Sequence, residues 1–396
     1  MATMVDVARH AGVSIATVSH VLNDSRPVRP QTRQAVLDAI EALGYTHNTL
    51  ARSLVTARTR SIGLAVSAIS NPYFTEILQG VEAGALEQGY SLLIADPHDD
   101  PEHEGKVVRL LHERRVDGLI VAPSAEPAGL LRYLGRHNVP TVFLDRLVDR
   151  TAAEAGGASG IHASGLPRPG EDEPSAAPYR FDQICAENAE PTAQLVAHLA
   201  GLGHKRIGLV AGLPGLSTTT ERISGYRHGL AGAGLPYDER LVVHGASQSE
   251  AAEQATGALL SLGAPPTALV TGNNAMTIGA LRALRKFGLS VPDDLALCCF
   301  DDFAWADLFS PRLTAVSQPS REIGARAVRL LLERLASPGR PGRTLRLPCT
   351  FVHRTSCGCP EDAGPTDSRG ATDAAPAGDA SPAGGGAGGT PREARR

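Results

Sequence analysis

The sequence predicts a small all-α domain at the N-terminus, followed by two α/β lobes with parallel sheets. The first observation is a helical pattern around a tight turn in residues 4–23. The second is a long alternation of apolar, strand-like runs with helical stretches from Ser61 onwards, which is typical of parallel sheets covered on both faces. The third is the length of 396 residues, which exceeds one typical domain.

The N-terminal stretch predicts two short helices. Residues 4–23 read MVDVARHAGVSIATVSHVLN. A first helix from about Val5 to His10 would end before Gly12, where glycine adopts the positive φ of a tight turn without steric cost. Ser14 can then cap the second helix by accepting a backbone N–H of its first turn.

The second helix of this pair presents small and polar side chains outwards. Ala8, Val18 and Val21 would face inwards and fix the angle between the helices. The outer face then carries Ile15, Ala16, Thr17 and His20. This pattern indicates a helix-turn-helix, whose second helix fits the major groove of DNA, where such side chains suit base edges. An ordinary helical corner is the alternative, and we favour DNA binding.

The charge distribution agrees with contact to DNA phosphates. The chain as a whole carries a net charge of −4, but the first sixty residues contain seven arginines against four acidic residues. A basic head on an acidic body is what phosphate contact requires.

A third helix is predicted to close the small domain. Pro30 suits the first position of a helix and Gly44 its end. The apolar stripe of this helix would consist of Val36, Leu37, Ile40 and Leu43. The next segment, residues 48–56, has Asn48 as an N-cap and two leucines one turn apart, and predicts a short helix that needs a partner to be stable. A plain linker is the alternative.

We divide the chain by pattern and composition. Residues 150–178 are rich in Ala, Gly, Pro and Ser and predict a flexible insertion, and the tail predicts disorder. The predicted units are a headpiece (1–47), a hinge helix (48–60), a first lobe (61–149 and 319–343), the insertion (150–178), a second lobe (179–318 and 344–358) and the tail (359–396).

Composition and motifs exclude several classes of protein. No apolar run reaches the length of a membrane span and no secretory signal opens the chain, so we expect a cytoplasmic protein with no membrane partner. No nucleophile elbow, zinc-protease motif or Walker loop is present. We therefore expect no enzymatic activity, no catalytic residue and no cofactor.

The six cysteines are too few and too irregularly spaced for a disulfide scaffold. We interpret all of them as reduced thiols. Cys357-Gly-Cys359 resembles half of a metal site but lacks a second pair of ligands, so we expect no metal.

Ten motifs, in order along the chain, resemble the LacI/GalR (lactose/galactose repressor) family. They are VARHAGVSIATVSHVLN, ARSL, SIGLAVS, NPYF, RVDGLIV, DR, GHKRIGLVAG, ERISGY, VPDDLALCCFDD and LTAVSQP. The resemblance runs from about residue 4 to 357 without the insertion, and the TVSH ending of the second helix is similar to that of the purine repressor. It implies a dimeric or tetrameric regulator that binds double-stranded operator DNA through its headpiece. Its two-lobed α/β body, similar to periplasmic binding proteins, would hold a small effector, for which a sugar is favoured.

The resemblance also implies roles for residues of the headpiece and hinge. Ile15, Ala16 and His20 match base-reading positions, and many relatives carry Arg in place of His20, so the operator should differ there. Leu54 matches a leucine that family members insert into the minor groove, in agreement with the wedge effect of apolar side chains. The predicted DNA-binding residues are Ser14, Ile15, Ala16, Thr17, Ser19, His20, Asn23, Arg29, Asn48 and Leu54.

The predicted effector pocket lies at the carboxyl ends of the strands, where ligands of α/β folds bind. Aromatic rings suit the face of a sugar or base, and carboxylates can hold hydroxyl groups. The predicted effector-binding residues are Tyr73, Phe74, Asp145, Arg146, Thr218, Arg222, Asn274 and Asp301. Leu216 stands where the purine-binding relative often has arginine, which argues against an identical purine site.

Three functions remain open at this point. The first is an allosteric repressor, with a purine- or nucleoside-responsive repressor as the variant of its ligand class. The second is a ligand sensor with a vestigial head, and the third an architectural DNA binder without a ligand. Whether the effector induces or corepresses depends on which lobe arrangement it prefers.

Overall fold

The computed structural model describes residues 2–45, 58–67, 71–148 and 181–359. The predicted hinge segment up to residue 57, the insertion and almost all of the tail lie outside the described residues, and with them Asn48 and Leu54. Residues 58–60 are not helical. Instead, the backbone N–H groups of Thr59 and Arg60 donate to the Asp117 carboxylate at 2.8 and 3.2 Å, so the predicted hinge helix does not extend to residue 60.

Three helices form the headpiece: α1 (Met4–His10), α2 (Ile15–Asn23) and α3 (Pro30–Leu43). The turn between α1 and α2 has Gly12 at φ +65°. The Ser14 hydroxyl accepts the backbone N–H of Thr17 at 3.1 Å and so caps α2. Local sequence signals therefore determine how α1 and α2 meet.

The headpiece core is small and made almost entirely of valine and alanine. Its buried members are Val7, Ala8, Val18, Val21, Val36 and Ala39. The predicted stripe on α3 was wrong at one position, because Leu37 is 43% exposed and Ala39 is buried in its place. Alanine allows α3 to approach the helix pair more closely than leucine would.

The first lobe is an α/β unit built on one sheet. Its elements are β1 (Ser61–Ala65), α4 (Pro72–Glu87), β2 (Ser91–Ala95), α5 (Pro101–Glu113), β3 (Gly118–Val121), α6 (Ala128–Arg136), β4 (Thr141–Leu144), β5 (Asp182–Ala186), α11 (Ser320–Ala336) and β11 (Thr344–Leu347). The six strands form a fully parallel sheet in the order β11-β5-β4-β3-β1-β2. Helix α11 packs along α4 and against the central strands of this sheet.

The second lobe has its own six-stranded sheet, in the order β12-β10-β9-β8-β6-β7, with β12 as its antiparallel edge. The short strands β10 and β12 were not predicted. The elements of this lobe are α7 (Ala189–Gly201), β6 (Ile207–Ala211), α8 (Ser217–Gly232), β7 (Val242–His244), α9 (Ser249–Leu260), β8 (Ala268–Thr271), α10 (Asn274–Lys286), β9 (Ala296–Phe300), β10 (Thr314–Ser317) and β12 (Thr350–Val352).

The strand order corrects the predicted boundary between the lobes. Residues 179–186 and 344–347 were assigned to the second lobe, but β5 pairs with β4 and β11 pairs with β5, all in the first sheet. Pairing between strands far apart in the chain overrides sequence order. In the sequence, the insertion therefore falls between two strands that are neighbours in the first sheet, and not between segments of different lobes.

The described chain passes between the two sheets at three places, after β5, after β10 and after β11. We call these segments the crossings. Asn188 lies in the first crossing and Gln318 in the second, and both side chains are buried.

In the part of the chain that the structure describes, no helix combines the length and apolar character needed to span a bilayer.

A buried ion cluster joins β5 to the chain that follows α11. The Asp182 carboxylate is fully buried. It accepts the Nε and Nη2 groups of Arg334 at 3.1 and 3.0 Å, two groups of Arg340 at 2.8 and 2.6 Å, and the backbone N–H of Arg343 at 3.0 Å. Five donors on one carboxylate compensate its loss of water.

Replacing Asp182 by alanine should destabilise the protein strongly. The change leaves two arginines without their common anion, one of them buried, and breaking such a buried pair typically costs about 3–5 kcal/mol. Urea unfolding, followed by circular dichroism, measures the free energy of unfolding. Asp238→Ala is the control, because Asp238 also pairs with two arginines, Arg206 and Arg240, but on the surface. Equal losses in the two variants would contradict the assigned role of the Asp182 cluster.

Candidate functional sites

The outer face of α2 is open to solvent at its first turn. Ile15 is 48% exposed, and Ala16 is exposed beside it. Thr17 is held at the helix start by a hydroxyl contact of 2.9 Å with Ser14. A protruding apolar side chain next to a small one suits contact with a thymine methyl group.

The second half of α2 carries the remaining predicted base-reading residue. His20 is half-buried, and its Nδ1 lies 2.9 Å from the Ser25 hydroxyl, which fixes the ring orientation. Ser19 is half-buried, and Asn23 is the last residue of α2. These residues share one helix with Ile15 and Ala16.

Exposed arginines surround this helix. Arg9 pairs with Asp6 at 3.1 Å, and Arg33 pairs with Asp24 at 2.7 Å. Arg29, one of the predicted DNA-binding residues, is exposed as the N-cap residue of α3. Exposed ion pairs are worth little in water, so these arginines can exchange a carboxylate for a phosphate at low cost.

A second polar cluster lies at the carboxyl end of the first sheet. Asp145 follows β4 with φ +65°, and its buried carboxylate accepts the Tyr73 hydroxyl at 2.6 Å. The Asn71 side chain caps α4 by accepting the Tyr73 N–H at 3.0 Å. Burial raises the pKa of Asp145, although the neighbouring Arg146 charge opposes this. Burial also raises the pKa of Tyr73, and the Asp145 charge adds to the effect.

Arg146 connects this cluster to the rest of the rim. Its Nη1 donates to Asp99 and to the Pro123 carbonyl, the latter at 3.1 Å. Its Nε lies 3.6 Å from Asp145 Oδ2 and makes no hydrogen bond. The guanidinium group lies 5.9 Å from the centre of the Phe74 ring, which contacts the Tyr73 ring edge to face.

The second lobe contributes a matching set of buried polar residues. Asp301 follows β9 with φ +73° and accepts Gln318 Nε2 at 2.5 Å. Burial raises the pKa of Asp301 to about 6. Asn274 is 97% buried at the start of α10, and neither its Oδ1 nor its Nδ2 has a hydrogen-bond partner in the structure. Such an amide costs free energy unless a ligand or water satisfies it.

Arg222 links this set to the first crossing. Its Nε donates to Asn188 Oδ1 at 2.8 Å, and its Nη1 donates to the Gly272 carbonyl. The guanidinium group lies 3.7 Å from the centre of the Phe300 ring. Thr218 is buried in the first turn of the same helix, α8.

The two sets face each other across one cleft. The Arg222 charge partly opposes the rise that burial causes in the pKa of Tyr73 and of Asp145 on the opposite lobe. The Asp145 charge adds to the rise that burial causes in the pKa of Asp301. A direct contact also crosses the cleft, since the Leu147 N–H donates to the Ser217 hydroxyl at 2.8 Å.

Sequence reasoning missed the two residues that join the cleft to the crossings. Asn188 and Gln318 hold Arg222 and Asp301, respectively. Gln318 lies within the LTAVSQP motif, which marked the segment without giving the role of the side chain. Only the fold shows that these amides contact cleft residues.

Comparisons with known proteins match both parts of the chain. A family model described as bacterial regulatory proteins, lacI family, matches residues 3–48, and one described as a periplasmic binding protein-like domain matches residues 196–357. The HTH-type transcriptional repressor PurR of Aliivibrio fischeri (strain MJ11) is 33% identical over 359 residues, which cover 90% of this chain and 98% of that protein.

Solved structures give the same result for the fold. The lac repressor dimer bound to operator and the anti-inducer ONPF superposes with a TM-score of 0.74 at 27% identity, covering 90% of this chain and 99% of that one. The transcriptional regulator CelR in complex with cellobiose superposes with a TM-score of 0.64 at 29% identity, covering 90% of this chain and 100% of that one.

Proposed function

Because the chain belongs to the LacI family of bacterial regulatory proteins and is a DNA-binding transcriptional regulator with a small-molecule effector, we propose that it is a sugar-controlled repressor. It binds a near-palindromic operator as a dimer and holds the sugar in the cleft between its lobes. The observation that carries this proposal is the polar cluster on the two sides of the cleft, with the buried Asp145 and Arg146 on one side and the buried Asn274 and Asp301 and the half-buried Arg222 on the other.

The charge balance of the cleft favours a neutral ligand with many hydroxyl groups. Arg146 is already paired with Asp99 and Asp145, and the charge of Arg222 is offset by its interaction with the carboxylates of Asp145 and Asp301, so neither arginine offers an uncompensated charge to an anion. Carboxylates accept hydroxyl protons, guanidinium groups donate to hydroxyl oxygens, and the Asn274 amide does both. A sugar supplies paired donors and acceptors of this kind, and CelR, a structural relative, was solved with cellobiose.

A purine or nucleoside is the second candidate, favoured by the similarity of the whole chain to PurR repressors. A flat base needs an aromatic face on which to stack. The Arg222 guanidinium covers the Phe300 ring, and the Tyr73 and Phe74 rings are buried and packed edge to face against each other. Leu216 also stands where the purine-binding relative often has arginine. We therefore favour the sugar.

The headpiece contacts DNA through the α2 face, with Ser14, Ile15, Ala16, Thr17, Ser19 and His20 towards the major groove. Asn23, Arg29 and Asn48 contact the backbone near it, and Leu54 enters the minor groove at the operator centre. Two copies are needed to read both halves of a palindrome, as in the operator complex of the lac repressor dimer. A regulator that binds operator DNA acts in the cytoplasm, where we place it.

An operator-binding assay tests the proposal directly. The purified full chain is mixed with DNA from upstream of its own gene, with and without panels of sugars, nucleobases and nucleosides. We expect salt-dependent, sequence-specific binding that at least one sugar changes severalfold. A response to nucleobases alone would replace the sugar by the second candidate, and specific binding that no small molecule changes would contradict the effector cleft.

Replacing His20 by alanine should change which operators the protein prefers. The contact of His20 with Ser25 leaves its Nε2 edge for a base, and a good base contact discriminates by about 1–3 kcal/mol. Fluorescence anisotropy with operators varied at each position measures the preference. His228→Ala, an exposed histidine on α8, is the control and should bind like the wild type. An unchanged preference in His20→Ala would exclude His20 from base recognition.

Sugar affinity should rise with pH as Asp301 loses its proton. Burial raises the pKa of Asp301 to about 6, and a hydroxyl that donates to its carboxylate favours the charged form. At a pH below this pKa, sugar binding therefore releases a proton from Asp301. We expect about tenfold weaker binding one pH unit below the pKa than well above it, measured by titration calorimetry.

Two variants, each replacing one buried carboxylate by its amide, test this prediction. Asp301→Asn should bind the sugar more weakly and without this pH dependence. Glu104→Gln should keep the dependence, because the raised pKa of Glu104 comes from its own burial beside Ser124. An affinity independent of pH in the wild type would contradict a direct bond between the sugar and Asp301.

A further inference from the structure

Four metal-ligating side chains meet between α7 and the C-terminal end of the second lobe. They are His198 on α7, His353 just after β12, and Cys357 and Cys359 in the turn that follows. One ligand atom from each lies within 4.8 Å of the other three. We propose that these four residues bind one Zn²⁺ ion in a closed, structural site.

The distances between the ligand atoms suit a tetrahedral ion. Cys357 Sγ lies 3.5 Å from His353 Nε2, and Cys359 Sγ lies 3.7 Å from His198 Nε2. Zn–S bonds of about 2.3 Å and Zn–N bonds of about 2.0–2.1 Å give a sulfur–nitrogen edge of about 3.5–3.6 Å in a tetrahedron. No two ligand atoms of the cluster are more than 4.8 Å apart, so each separation needs to shorten by at most about 1–1.5 Å to reach the edges of that tetrahedron.

The donor set selects the metal. Two thiolates and two imidazoles in tetrahedral array are typical of Zn²⁺, and the two thiolate charges neutralise the ion. Four protein ligands leave no open position, so the site is structural and has no catalytic role. Isolated thiol–imidazole hydrogen bonds would need only two pairs in contact, whereas here all four ligand atoms converge on one centre.

The local fold is arranged around these ligands. Gly358 adopts φ +93° between the two cysteines, which turns the chain so that both thiols face the same centre. The Gly358 N–H donates to the Thr355 carbonyl at 3.0 Å and holds the turn. The Thr314 hydroxyl donates to Cys357 Sγ at 3.3 Å, as the outer hydrogen bonds of zinc thiolates do.

The surroundings of the cluster exclude water on one side. Cys357 is fully buried in the core of the second lobe. The Phe351 ring lies 5.3 Å from the His198 ring and is stacked with the His353 ring at 6.2 Å. A metal here would tie the end of the described chain to α7, the helix that begins directly after the first crossing.

In the sequence, Cys357-Gly-Cys359 lacks a second pair of ligands, and the fold supplies that pair. His353 comes from the same C-terminal segment, and His198 comes from a helix far away in the chain. A pattern search cannot find a ligand that only tertiary packing brings into reach.

Metal analysis of the full-length protein tests the proposal. The protein is purified under reducing conditions, dialysed against a weak chelator, and its metal content is measured by mass spectrometry. We expect about one zinc per chain, released when a mercurial reagent blocks the thiols. Absence of zinc after reconstitution with excess Zn²⁺, or a disulfide between Cys357 and Cys359 in the reduced preparation, would overturn the proposal.

Three variants test whether the zinc is bound at this cluster. Cys359→Ser and His353→Gln should lose most of the zinc. Cys349→Ser should keep it, because this thiol donates to the Glu187 carbonyl and lies outside the cluster. Zinc retained by both cluster variants would place the metal elsewhere.

Because a cluster variant can fail to fold, the wild type gives an independent readout. Co²⁺ in place of zinc should give the strong visible absorption of a tetrahedral thiolate site. Removing the zinc with a strong chelator should lower the Tm by several degrees, and Zn²⁺ but not Mg²⁺ should restore it. A wild-type protein with unchanged Tm and no cobalt spectrum would contradict the site.

Discussion

The two lobes are joined through crossings whose buried amides are hydrogen-bonded to residues of the cleft. Asn188 accepts Arg222 in the first crossing, and Gln318 donates to Asp301 in the second. A buried polar group that loses its partner costs about 1–3 kcal/mol. The residues proposed to hold the effector therefore cannot change their hydrogen bonds without leaving a buried amide of a crossing unpaired. This constraint connects the chemistry of the cleft to the relative position of the lobes.

In the proposed function, this arrangement would act as a physical switch. A ligand shifts an equilibrium between two lobe arrangements only by its difference in affinity for them. A sugar that took over the Arg222 and Asp301 bonds would change which partners remain for Asn188 and Gln318, and so would change the free-energy difference between the arrangements. The proposed zinc would act on the same element from its other end, because His198 lies on α7, which starts next to Asn188. A firmly held α7 transmits movement at the crossing instead of absorbing it.

Much of the fold follows from local sequence. Gly12 and Ser14 determine the turn and cap of the headpiece, and the alternation from Ser61 onwards reveals two α/β lobes. What escaped prediction depends on contacts distant in the chain. No local sequence pattern indicates that β5 and β11 complete the first sheet, or that His198 approaches Cys359. In the cleft, the residue types at strand ends suggested Asp145 and Asp301, but the amides that hold the cleft residues look like ordinary loop residues in the sequence.

The coupling between cleft and crossings is tested most simply by measuring how strongly the effector changes operator affinity when Asn188 and Gln318 no longer bond the cleft residues. The ratio of operator Kd values with and without the effector is determined for the wild type, for the double variant Asn188→Ala with Gln318→Ala, and for Gln194→Ala on the exposed face of α7 as a control. We expect a change of about 5- to 150-fold in the wild type and the control, and a ratio near one in the double variant while the sugar still binds. A double variant that binds sugar and keeps the full ratio would contradict the claim that these two amides couple the cleft to the crossings between the lobes.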